Sequence, residues 1–423
     1  MSQATWSSLA QVAGASLQQL PQLLNPFVGY FFWLVVLFVY WQARRAARLE
    51  EALYGRPLNV PLRRTLSAVA YGVVAGVAGT LLITLIGIPL GATDIAYVWP
   101  LALLLLLVDP RLLCFAYAGS ALILAKLIFG WPPVHAAGLL GLVAVLHLVE
   151  GVLVAIDPEK IVTPLYVRTK DHGTVGGFFV QRFWPVPLVI VLFLPGVQAA
   201  SAAGNIPTPG WWPLVPPVAG ALASTSLYVL LPIAAGLGYA DIALTRPASR
   251  KSLGTASLLC LYSGVLLVLA VLGSHNPAWL WAGAIFAAGA HEWLARHGGG
   301  SELRGQPYFG KAEDGVRILD VLPGSPAEQL GLRSGQVIQA VNGTPVADRM
   351  ALATAVGAAS FFLALDVDGR EVEWNRHRGG LGELGVIPVP EPDDPAHADL
   401  TRPRRALAVV QWVEQLRMRR MRP

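Results

Sequence analysis

Cysteine is nearly absent: Cys114 and Cys260 are the whole complement, and both fall inside apolar stretches. Two such thiols form no disulfide framework and no metal-ligand spacing, and they say nothing about redox compartment. Charge is scarce as well, at 13% of residues against 54% apolar, and the mean hydropathy is +0.54. That balance excludes an ordinary soluble domain and describes a polytopic membrane protein. The net charge of +5 comes from basic residues gathered in loops, which sets membrane orientation and argues against nucleic-acid binding. Catalytic signatures are missing too. No G-x-S-x-G, Walker or dinucleotide motif is present, and His291-Glu292 is followed by Ala295 where a zinc protease motif needs its second histidine. His297 lies six residues on, toward a different helix face. No catalytic residue, metal ligand or cofactor is therefore assigned from motifs.

What is present begins with an uncharged segment. Over residues 1–25, Trp6, Leu9, Val12, Leu17 and Leu20 recur at helical spacing and predict an interfacial helix. With no basic n-region and no A-x-A site, it lacks the form of a cleaved signal peptide. Residues 26–297 then read as a helical membrane domain, each span needing about 20 apolar residues. Spans are expected at Pro26 to Trp41, Leu66 to Leu90, Ile95 to Val108, Leu112 to Gly130 and Ala136 to Ile156. Four more follow at Phe183 to Ala200, Pro213 to Tyr239, Leu253 to Gly273 and Ala278 to Ala295. That makes about nine, or eight if the third and fourth form a re-entrant pair around Pro100.

Loop charge sets the orientation. Arg44, Arg45, Arg48, Arg56, Arg63 and Arg64 fill the first loop; Lys160, Arg168, Lys170 and Arg182 the fifth; Arg246, Arg250 and Lys251 the seventh. The loops Ser201 to Trp212 and Ser274 to Pro277 carry no Lys or Arg. Basic loops stay in the cytoplasm, so the chain after Arg296 and Arg304 is expected there, below a bacterial plasma membrane.

That C-terminal region is the most informative. Val316 to Val321 reads as a strand ended by Pro323-Gly324. Ser325, Pro326 and Glu328 then form a helix start with a capping box, and Gly331 supplies its stop. Val337 to Val341 is a second strand closed by the Asn342-Gly343 turn. Asp348 caps a helix over Arg349 to Ala358, and Phe361 to Val367, Asp368-Gly369 and Arg370 to His377 complete a hairpin. This order of elements resembles the circularly permuted bacterial PDZ domain, a small α+β fold placed here within 300–392. The resemblance implies a groove in which an extended peptide, C-terminal or internal, adds as a strand. Its family positions correspond to Tyr308, Phe309, Gly310 and Lys311 before the strands, and to Met350, Ala351, Thr354 and Ala355 on the helix. Leu381 to Pro392 reads as one more strand. Residues 393–423 form a linker and a basic tail, whose Arg402, Arg404, Arg405, Arg417, Arg419, Arg420 and Arg422 surround an apolar set. Such a tail either lies on anionic lipid or packs on the domain.

Ionisable residues inside spans are functional candidates, because burying them is costly. His147 and Glu150 stand three apart in the fifth span, suited to a relay, to a cation or to bonding each other, and His291 and Glu292 sit in the last. Gly and Ala between Tyr71 and Thr80 read as close packing. Taken whole, the N-P-F-x-x-Y-F-F-W opening, the H-L-V-E of the middle span, the Gly176-Gly177 to Pro187 segment, His291-Glu292 and the terminal PDZ domain resemble the MinJ family of Gram-positive cell-division topological determinants. That resemblance implies a membrane-anchored adaptor without catalysis, linking a DivIVA-type polar scaffold to MinC and MinD. An intramembrane protease or protease regulator, or a transporter with a regulatory PDZ domain, stays open beside it.

Overall fold

The computed structural model describes residues 3–156, 162–194, 211–217, 227–359, 362–375 and 384–399. Helix α1 (Gln3–Gln19) is followed by α2 (Tyr30–Tyr54) and α3 (Pro61–Ile86). Pro61 begins α3, at a position whose N–H has no helical partner in any case. Strand β1 (Pro89–Gly91) leads to α4 (Ala92–Val108), α5 (Phe115–Phe129) and α6 (Ala136–Ile156). Three strands come next, β2 (Val162–Thr169), β3 (Gly173–Leu194) and β4 (Leu227–Ala243), before α7 (Ala248–His275) and α8 (Ala278–Arg304). Among the described residues, α3, α6 and α7 are long and apolar enough to cross a membrane, and α4 and α5 are shorter apolar helices. The uncharged α1 packs on the far end of α3, where Thr84 donates to Ser16 Oγ at 3.2 Å and both side chains are buried.

Two expected helical spans are strands. The stretches from Phe183 and from Pro213 instead contribute β3 and β4, which pair antiparallel from Phe178↔Ala243 to Leu194↔Leu227. Residues 195–200 and 218–226 of those stretches lie outside the described residues. The reason is local. Pro185 and Pro187, and Pro232 opposite, would each remove a helix donor and clash with the preceding turn, while Val186, Val189, Ile190 and Val191 favour extended backbone.

Inside an apolar environment every strand N–H and C=O needs a partner. On the side away from β4, β3 pairs with β2 up to Val180 and with β1 from Val191, and among the described residues 181–190 has no strand neighbour there. Helix α3 covers that interval. A Cβ added to Gly72 would sit 2.1 Å from the Pro185 carbonyl oxygen, and one added to Gly76 only 1.9 Å from that of Pro187. Helix Cα–H groups therefore meet the two strand carbonyls directly. Pro185 and Pro187 have no N–H to satisfy, and the next residue of the same parity, Val189, donates to Thr80 Oγ1 at 3.0 Å. The small residues of α3 do serve close packing, Gly72 and Gly76 against the edge of β3 and Gly79 against both β3 and Val149 of α6.

The junctions next to the C-terminal domain are fixed by two buried carboxylates. Glu50 at the end of α2 accepts from Arg64 Nη2 (2.7 Å), Thr163 Oγ1 (2.9 Å) and the Leu58 N–H (2.9 Å). Glu302 near the end of α8 accepts from the Leu244 and Thr245 N–H groups at 2.9 and 2.7 Å, with Arg246 Nε at 3.2 Å. Each is fully buried, and several donors converge on one of its oxygens or on both.

The C-terminal domain contains β5 (Val316–Val321), α9 (Pro326–Gln329), β6 (Val337–Val341), β7 (Thr344–Pro345) and α10 (Arg349–Ala358). It continues with β8 (Phe362–Val367), β9 (Arg370–Asn375), β10 (Val386–Pro388) and β11 (Ala398–Asp399). Its sheet runs β10-β5-β6-β8-β9 over a core of Ile318, Ile338, Val341 and Leu365, while β11 instead pairs with β2 of the other sheet. The elements fall where the local signals put them. Ser325 Oγ accepts from the Glu328 N–H (3.3 Å), Asn342 has φ 49°, and Asp348 caps α10 through the Ala351 N–H at 2.7 Å. Residues 360–361 and 376–383, including the expected strand start at Phe361 and end at His377, lie outside the described residues, as does the basic tail 400–423.

Gly76→Val should leave little folded protein, because its branched side chain meets a backbone oxygen that cannot rotate away, at a cost above the ~1–3 kcal/mol of ordinary overpacking. Gly264→Ala, whose Cβ enters open space in α7, should stay within about 1 kcal/mol of the parent. Fluorescence-detected gel filtration and thermal unfolding in detergent compare the two.

Candidate functional site

The C-terminal domain stands on the membrane-side sheet and is held there by its own chain. Segment 384–399 begins as β10 on β5, with the Leu322 N–H donating to Gly385 O at 2.8 Å and the Val389 N–H to Arg317 O at 2.9 Å. It then crosses to the other sheet. The Thr174 N–H donates to Pro392 O (2.9 Å), the Thr174 hydroxyl to Asp394 O (2.7 Å), and the Tyr166 hydroxyl to Pro388 O (2.8 Å). His397 stacks on Tyr166 with ring centroids 4.5 Å apart, and Ala398 and Asp399 pair with Val167 and Arg168. Arg349, the first residue of α10, makes a bidentate pair with Asp394 at 2.6 and 2.8 Å. The expected strand within Leu381 to Pro392 is thus present, and it is the clamp between two sheets.

The anticipated groove residues divide into two groups. Tyr308 donates its N–H to Leu244 O at 2.8 Å, and Phe309 bridges to Gly176 and packs edge-on to Phe178 at 5.2 Å, buried in the common core. Gly310 follows with open space beside its Cα. Lys311 is brought to α10: it lines a small cleft with Ala312, Val316, Asp348, Arg349 and Val389, and pairs with Glu391 at 3.2 Å. On α10, Met350 is 71% exposed and Thr354 is exposed one turn on, while Ala351 and Ala355 pack against the domain core. The outward strip beside the cleft is therefore Met350 and Thr354.

A second site forms between helices. The structure brings His147 of α6 and His291 of α8 together, ring centroids 5.1 Å apart, and adds Cys114 at the start of α5, whose Sγ is 3.2 Å from His147 Nε2. His147 Nδ1 lies 2.8 Å from Val143 O, so it carries the proton and Nε2 keeps its lone pair. Tyr117 donates to Glu292 Oε2 at 2.6 Å and receives His291 Nδ1 at 3.2 Å. Glu292 pairs with the exposed Arg296 and lies 3.9 Å from Arg111. Glu150 lies on the same helix one turn beyond His147 and is not part of the cluster that Cys114, His147 and His291 form. Sequence reasoning found the two histidines and two glutamates but not Cys114 or Tyr117, which carry no local motif.

Residues 317–356 match the PDZ domain family. MinJ of Bacillus subtilis, described as a cell division topological determinant, is 26% identical over 265 residues, 61% of this chain and 61% of its own length. The chain is MinJ-like and carries a PDZ domain. Its match thus spans about three fifths of that relative. A putative serine protease, HhoA of Synechocystis, is 44% identical over 62 residues, which cover 15% of this chain and 16% of that one. No solved structure matches.

Within the PDZ domain, Asp320 of β5 is pushed up to about 6 by burial, with the charge of Glu50 adding to the effect. A carboxyl whose folded value exceeds its unfolded one is destabilising when ionised. Stability is therefore lost as pH rises from about 4 through 6, by up to roughly 3 kcal/mol. Asp320→Asn should raise the unfolding temperature at pH 7.5 and lose that advantage by pH 4, as read by thermal unfolding across a pH series.

Proposed function

We propose that the protein is a membrane-anchored PDZ adaptor that recruits cytoplasmic partners for division-site placement. The observation that carries this reading is the joint one: similarity to a division topological determinant over a stretch far longer than the PDZ match, with that domain clamped to a body containing membrane-length helices. The helical body restricts the module to two dimensions and raises its effective concentration for partners on the same membrane, so a weak groove suffices. The partner's extended segment, C-terminal or internal, engages the cleft at Lys311 and the exposed Met350 and Thr354 strip of α10, with Tyr308, Phe309, Gly310, Ala351 and Ala355 supporting it. In its finer form the adaptor bridges a DivIVA-type polar scaffold to MinC and MinD, as the family resemblance implies. The PDZ domain then lies in the cytoplasm, and the basic tail 400–423 adds contact with anionic lipid.

The test is a double variant, Met350→Asp with Thr354→Arg, in cells carrying a fluorescent division inhibitor of the MinD type. Recruitment to the septum should fall at least about tenfold while the abundance of the protein in the membrane is unchanged. A chain ending at residue 300 that recruits as well as the full chain would remove the adaptor reading. So would trimming of the PDZ domain by protease added to intact cells.

A further inference from the structure

We propose that Cys114, His147 and His291 hold a divalent metal ion of the zinc class in the helical body, a site independent of the PDZ groove. The three residues come from the start of α5, the middle of α6 and α8, and their ligand atoms lie within 4.8 Å of one another. One thiolate and two imidazoles form a borderline-soft set that suits zinc, and three protein ligands leave a fourth position open.

The surroundings of each ligand carry the argument further than its distance does. A metal-binding histidine typically gives its other ring N–H to a carbonyl, a carboxylate or another fixed acceptor, which sets the tautomer and aims the lone pair. His147 gives Nδ1–H to Val143 O, and its Nε2 faces the sulfur. The Tyr117 proton is committed to Glu292, so the phenol oxygen accepts from His291 Nδ1–H and leaves Nε2 of His291 as that ring's lone pair. Cys114 occupies the N-cap of α5, where its sulfur accepts the Ala116 N–H at 3.4 Å, which fixes the direction of the sulfur toward His147. Both histidines enter neutral, and the thiol loses its proton to solvent on binding. Zinc with one thiolate leaves a single positive charge, and the fourth position is open to water.

Copper fits less well. A blue-copper site needs a weak axial ligand, often methionine. The four methionines, Met1, Met350, Met418 and Met421, all lie outside the helices that supply these ligands. The tyrosine, glutamate and arginine series from His291 to the exposed Arg111 and Arg296 also leads to the surface, on the side that loop charge assigns to the cytoplasm.

The experiment uses the full chain in detergent, purified without a histidine tag, stripped with chelator and titrated with Co²⁺ or Zn²⁺ alone. The expected result is one ion per chain, a thiolate-to-cobalt charge-transfer band, and zinc displacing cobalt with a Kd below about 1 µM. Cys114→Ser should abolish the band, His291→Asn should weaken zinc at least about 100-fold, and Cys260→Ser should change neither. Zinc should also raise the unfolding temperature of the parent but not of Cys114→Ser. A refilled parent protein with no band would overturn the proposal without reference to any variant, and so would a band that persists in Cys114→Ser or follows Cys260.

Discussion

A strand placed among apolar helices must have each backbone polar group met, and this chain solves that problem at one seam. Among the described residues, no second strand runs beside 181–190 of β3 on the side of α3. Proline removes two of the donors that would otherwise be orphaned, Thr80 answers that of Val189, and glycine lets a helix come close enough for its Cα–H groups to reach the acceptors. Proline and glycine usually count as breakers of regular structure. Here they are complementary halves of one contact, and the large core that includes Trp184, Val186 and Leu188 is assembled around it.

The difference between what could and could not be read follows from the range of each signal. The PDZ elements depend on caps and turns that act over four or five residues, such as Ser325 with Glu328 or Asn342 with Gly343. They stand where the sequence puts them. The expectation of helical spans from Phe183 and Pro213 rests on hydropathy, a quantity that measures apolar area and is blind to how the backbone is bonded. The alternation of Pro185 and Pro187 is the local signal that separates the two, since prolines spaced this way fit a strand and interrupt a helix. The site between helices was partly visible as ionisable residues in apolar spans. Cys114 joins His147 across 33 residues and left no local trace.

Both large units meet where buried charge concentrates. Glu50 ties α2, α3 and β2, and Glu302 ties α8 to the chain just after β4, so the sheet that receives the PDZ domain is braced at both sides. Glu50 also reaches Asp320 electrostatically, which links the bracing to the domain above it. Segment 384–399 completes the arrangement by lending one strand to each sheet.

That loan has a mechanical result. A domain on a single linker tumbles and offers its binding face in all directions, but one fastened at Phe309, at Asp394 and at Ala398 has a fixed height and heading relative to the helical body. Its face is turned one way, like a reader mounted on a wall, and an approaching chain is sorted by its angle of arrival before any side chain is compared.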